Sequence, residues 1–90
     1  MKATDIINKI VKEKGALLIR DRKEEHIKGE DWQYDIKHFE GNKKGWVWLD
    51  MTTSNCMKTV YNALSKKNKK QFNGIHITKL IKFAWKAVAK

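Results

Sequence analysis

Apolar side chains are spaced along this chain in three patterns, and each pattern predicts an element. Ile6, Ile7, Ile10 and Val11 share one stripe at helical spacing while Lys9, Lys12 and Glu13 face away, which predicts an amphipathic helix. Thr4 stands where an N-cap belongs, Asp5 suits the positive end of the helix dipole, and Lys14-Gly15 reads as a last turn closed by a left-handed glycine. Residues 16–19 (Ala-Leu-Leu-Ile) form a short unbroken apolar run, which predicts a strand ending at Arg20. The charged residues 21–29 then read as a solvated loop or an exposed extension of that strand.

The second pattern has a period of two. Trp32, Tyr34 and Ile36 alternate with Gln33, Asp35 and Lys37, as they do along a half-buried strand. Residues 40–45 are rich in turn formers, and residues 46–51 return as a run of aromatic and aliphatic side chains. Strand, turn and strand together predict a β-hairpin. With Trp32, Tyr34 and Ile36 facing the core, Gln33, Asp35, Lys37 and Phe39 make the outer face of the first strand. The second strand leaves two arrangements open. Either Val47, Leu49 and Met51 join the core and Trp46 and Trp48 lie outside, or the reverse holds.

Helical spacing resumes after residue 51. Thr52, Thr53, Ser54 and Asn55 are four consecutive good N-cap residues, and Cys56, Met57, Val60, Tyr61 and Leu64 form the apolar stripe of a second helix reaching about residue 65. Residues 66–70 are a basic connector with room for one short helical turn, closing at Phe72 and Gly74. Thr78 is placed to cap a final helix that turns Leu80, Ile81, Ala84 and Val88 inward. The expected fold is therefore α+β: an N-terminal helix, a three-stranded antiparallel sheet with a hairpin, and two to three C-terminal helices packed on one face.

Length and composition narrow the class. Ninety residues with 41% hydrophobic content make one domain, 1–90, burying roughly 60–65% of its unfolded surface. One cysteine, Cys56, forms neither an internal disulfide nor a zinc site, and it suits a reducing, cytoplasmic setting. No apolar run approaches the roughly 18 residues of a spanning helix, so no membrane role is expected.

Charge changes the picture most. The formal net charge is +10, and it is lopsided: residues 1–50 hold eleven basic and ten acidic side chains, whereas residues 51–90 hold nine lysines and no acid. Solvated surfaces normally mix signs, so a field of this kind suits an anionic partner. On a helical wheel at about 100° per residue, Lys79, Lys82, Lys86 and Lys90 fall in one stripe of the last helix, bordered by Phe83 and Trp85. The nearby Lys58, Lys66, Lys67, Lys69 and Lys70 extend the basic surface. Ammonium groups in such an array neutralise phosphates and release counterions. Trp46 and Trp48, if they face solvent beside Lys37, add a platform on which bases can stack.

Catalytic and metal chemistry finds no foothold. His26, His38 and His76 are scattered over three segments without metal-ligand spacing, Cys56 sits in an apolar stripe, and Asp50, which could cap the second helix, has no partner carboxylate. The five glycines are isolated and make no phosphate loop. No enzyme activity and no cofactor are expected.

The segment Tyr34-Asp35-Ile36-Lys37-His38-Phe39, a glycine turn, then residues 45–49 and a following helix resembles the strand–strand–helix end of the positive-cofactor-four-like single-stranded DNA-binding proteins. The likeness covers about thirty residues. It implies a curved sheet carrying basic and aromatic side chains, a nucleic-acid ligand and a homodimer. The size and composition also resemble small proteins of phages and mobile elements. The expected function is sequence-tolerant nucleic-acid binding, single strands favoured, through Lys58, Lys66, Lys67, Lys69, Lys70, Lys79, Lys82 and Lys86, with Lys37, Trp46 and Trp48. The alternative is a phage-type protein-interaction module that meets an acidic protein partner and modulates a replication or host enzyme.

Overall fold

Leu17, Leu18 and Ile19 are each no more than 1% exposed, so the strand they form is covered on both faces. That strand is the centre of the computed structural model, which describes residues 1–22, 26–27, 29–38 and 44–88, Val88 by its backbone alone. In chain order the elements are α1 (Ala3–Glu13), β1 (Leu17–Asp21), β2 (Tyr34–Lys37), β3 (Val47–Leu49), α2 (Met51–Ala63), α3 (Lys66–Phe72) and α4 (Ile77–Val88). The class is α+β, with an N-terminal helix, an antiparallel three-stranded sheet and C-terminal helices.

The expected hairpin between residues 32–39 and 46–51 does not form. The strand order is β2-β1-β3, so β1 pairs antiparallel with both of the others and the chain crosses it between β2 and β3. Period-two alternation reports which way side chains point, not which strand lies alongside. β1 opens with three consecutive buried side chains, Leu17, Leu18 and Ile19, and the middle of the sheet covers both of their faces. Most of the turn at 40–45 lies outside the described residues; Gly45 is described and has φ +82.

The register sorts side chains onto two faces. Ile19 lies opposite Ile36 and Val47, Leu17 opposite Leu49, and Asp21 opposite Tyr34. Of these, Leu17, Ile19, Tyr34 and Leu49 are buried in one core with α1 (Ala3, Ile6, Ile7, Ile10), Met57 of α2, Phe72 of α3 and Ile77, Leu80 and Ala84 of α4. Trp32 and Ile36 pack against its edge, as the alternation requires. All four helices thus cover one face of the sheet.

Local chemistry places the helix ends. α1 closes on Lys14, which adopts the left-handed conformation at φ 54, and the Gly15 N–H reaches back to the Ile10 carbonyl at 3.3 Å; the left-handed residue is the lysine, not the expected glycine. Thr4 sits inside α1, not at its cap. Its N–H donates to Asn73 Oδ1 (3.0 Å) and its hydroxyl accepts from Asn73 Nδ2 (3.1 Å), which ties α1 to the α3–α4 connection. α2 starts earlier than the Thr-Thr-Ser-Asn run suggests, because the Asp50 carboxylate accepts from the Thr53 N–H at 2.8 Å. Those hydrogen bonds hold the Asp50 pKa below the usual carboxylate range. Its deeply covered positions are Ser54 and Met57, with Cys56, Val60, Tyr61 and Leu64 only half-buried. Cys56 is therefore at the margin of the core. Ser65 caps α3, turning the basic connector into two helical turns. The His76 carbonyl accepts from Lys79 and Leu80, so α4 begins ahead of Thr78.

Tyr34 fastens the sheet to α4. Its ring is buried and its hydroxyl accepts from the Ile77 N–H at 2.9 Å. Burial pushes the phenol pKa up to about 12. Tyr34→Phe leaves that buried N–H without a partner and should cost about 1–3 kcal/mol near neutral pH. Between the ordinary tyrosine pKa of about 10 and the folded value, the native protein holds a proton that the unfolded chain releases, so rising pH destabilises the wild type. Urea unfolding across that range should show the wild type's advantage over Tyr34→Phe shrinking. An advantage that stays constant or widens would contradict this role for the phenol.

Candidate nucleic-acid interface

The face of the sheet turned away from the helices is built from Leu18, Arg20, Asp35, Lys37 and Trp48, which the register places on one side. Trp46 joins them from the residue before β3. Its indole is approached by two cations: the Arg20 guanidinium at 4.4 Å from the ring centroid and the Lys37 ammonium at 4.5 Å. Lys37 comes from β2, so this contact reaches across the central strand. Beneath it Leu18 has no exposure, although it lies outside the helix-side core. Cation–π contacts of this kind contribute about 0.5–1 kcal/mol at exposed sites.

Trp48 is 50% exposed and stands opposite Leu18. Of the two arrangements open for strand 46–51, the structure takes the one with Leu49 in the core and both tryptophans on the outer face. Val47 and Met51 remain partly exposed and do not join the core. The carboxylate on this face is Asp35, which lies 3.4 Å from Arg20 Nε and 3.6 Å from Arg22 Nε. These pairs are solvent-exposed and weak. They bring the Arg20 and Arg22 guanidinium groups to one carboxylate, and Arg20 is the one that reaches the Trp46 indole.

The helical lysines occupy a different surface. Lys66, Lys67 and Lys70 on α3 and Lys79, Lys82 and Lys86 on α4 are exposed on the helical layer, with the sheet between them and the tryptophans. Lys58 lines a small cleft between α1 and α2, and the Lys69 ammonium lies 5.5 Å from the Tyr61 ring. The structure therefore divides the sequence-predicted set in two: Lys37, Trp46 and Trp48 on the open sheet, the eight lysines on the helices. Phe39 and Lys90 fall outside the described residues. Arg20 and Arg22 were missing from the predicted set. Arg20 was findable, because it follows Leu18 by two residues and so shares its face.

The histidines organise one end of the molecule. His76 lies 2.6 Å from Asp21 through Nε2 and 2.8 Å from the Thr78 hydroxyl through Nδ1, so both ring nitrogens are engaged. Trp32 stacks flat on His26 at 3.6 Å and meets His76 edge-on at 4.8 Å. This cluster joins the end of β1, the approach to β2 and the start of α4, and it sets a hydroxyl, an imidazole and a carboxylate in one hydrogen-bonded row. Among the described residues no three His, Cys, Asp or Glu side chains gather as a metal site, and no helix is long and apolar enough to cross a membrane. No family model, no curated protein and no solved structure matches this chain.

Two residues on the open face have opposite duties in this geometry. Leu18→Ala empties a fully buried site and should cost about 2–5 kcal/mol. Trp48→Ala removes a half-exposed ring and should cost no more than about 1 kcal/mol. Denaturant unfolding of the two variants measures both; equal losses would show that Trp48 is structural rather than available.

Proposed function

We propose that this protein binds nucleic acid with little sequence preference, taking single strands along the open face of its sheet. The observation that carries this reading is the half-exposed Trp48 indole beside a second tryptophan already held between Arg20 and Lys37. Trp46 holds the two cations on this face, Trp48 adds a half-exposed ring against which a base stacks, and the cations stand where the adjoining phosphates would pass. Bases in a duplex are paired and stacked, so a flat indole selects strands whose bases are free. The helical lysines act at a distance, drawing a polyanion toward the molecule. The lone half-buried thiol fits a reducing cytoplasm.

Fluorescence anisotropy with a labelled oligothymidylate tests the reading. Binding should be measurable at about 50 mM salt and should fall as salt rises, each phosphate contact adding about −0.7 to the log–log slope. Trp48→Ala should weaken it by about 1–3 kcal/mol. Replacing Lys66, Lys67, Lys69 and Lys70 together with Ser should weaken it less, and mainly at low salt. Absence of binding at low salt, or an unchanged affinity for Trp48→Ala, would overturn the proposal.

A further inference from the structure

The helical layer carries a feature that nucleic-acid binding leaves unused. Where the end of α2, α3 and the start of α4 converge, a groove of about 410 Å³ opens to solvent, with Leu64, Phe72, Ile75, Leu80 and Phe83 along it and Lys79 in its wall. Ile75 is 43% and Phe83 54% exposed, and together they make an apolar strip on an otherwise basic surface. Exposed apolar patches rimmed by charge are a recurrent mark of protein-binding sites.

The charge around the groove specifies the partner. Between residues 51 and 90 there is no carboxylate. Lys67 and Lys70 on α3 and Lys82 and Lys86 on α4 are also exposed on the two helices that form the groove. No carboxylate among the described residues forms an ion pair with any of them. An acidic ligand would therefore meet the Lys79 ammonium in the wall and a surround in which lysines outnumber acids. The leucine, isoleucine and phenylalanine side chains of the floor offer nothing to phosphates, while Asn68 and Gln71 in the α3 wall offer hydrogen bonds to the polar edge of a ligand. An amphipathic helix satisfies both parts at once, laying apolar residues at i, i+3, i+4 and i+7 into the groove while flanking carboxylates meet the lysines.

We infer that the groove between α3 and α4 is a docking site for an acidic amphipathic helix of a partner protein. It lies on the helical layer, away from Trp48, so the protein can hold such a helix and a nucleic-acid strand together. The inference does not depend on the sheet-face reading.

A displayed library of helical peptides, randomised in apolar stripe and flanking charge and selected against the whole protein, tests this. The enriched peptides should carry a helical apolar stripe with Asp or Glu beside it. They should lose at least tenfold in affinity toward Phe83→Ser and toward Ile75→Ser, and bind more weakly to Lys79→Glu. Both apolar side chains are substantially exposed, so the variants should keep the wild-type circular dichroism. Should either fail to fold, resonance perturbation of the wild type by an enriched peptide should map to α3, α4 and the end of α2. An oligonucleotide should not displace the peptide. No enrichment over background, enriched peptides without acidic flanks, or unaltered binding to both serine variants would overturn the inference. Displacement by an oligonucleotide, with shifts in α3 and α4, would assign the groove to nucleic acid instead. Because Trp48→Ala leaves the groove untouched, failure here and failure of the sheet-face reading are separately visible.

Discussion

Burial of β1 on both faces is the constraint on which the rest of this structure depends. Leu17 and Ile19 face four helices, and Leu18 faces the other way with no exposure at all. A strand of that kind occupies the middle of the sheet, so β2 and β3 are forced to its two edges. One consequence is the helical layer, closed over Leu17 and Ile19. The other is the gathering of Arg20, Trp46 and Lys37 on the opposite side, the face on which Leu18 lies. The open face thus follows from strand order: two cations from β1 and β2 meet an indole at the start of β3 because β1 lies between the other two strands.

Much of this was legible in the order of residues, and the failures have physical causes. Helical stripes in α1 and α4 and alternation in β2 reported burial correctly, because period and burial express the same geometry. The pairing of strands was not legible by the same means. Alternation in residues 32–37 is as compatible with a neighbour at 17–21 as with one at 46–51. The apolar run at 17–19 does not fix the order by itself, because the run at 46–49 that holds the edge strand β3 is just as unbroken. Cap positions shifted for a related reason. Asp50 and Thr53 compete to begin α2, and the carboxylate prevails because it reaches the Thr53 N–H with an ionised acceptor.

The site divides along the same line. Lys37, Trp46 and Trp48 could be placed on one face from parity alone. Their separation from the eight helical lysines could not, because the sheet that divides them is defined only once its order is known. Wheel geometry also hid the groove. Phe83 reads as the border of a lysine stripe, and Ile75 belongs to no helix, so only the meeting of α3 with α4 reveals that they share a surface with Leu64. Charge follows the same partition. The first fifty residues nearly balance, and Asp35 tempers the guanidinium groups of the sheet face, whereas α2, α3 and α4 carry lysines without acids.

The central claim is that the open sheet face, rather than the lysine-rich helices, receives a single strand. Resonance mapping of the isotopically labelled protein during titration with a short oligothymidylate tests it most directly. The indole N–H of Trp48 and the amides of β1 and β3 should shift first and furthest, with the α3 and α4 amides moving little. Shifts confined to α3 and α4, with the Trp48 indole unmoved at saturation, would contradict it.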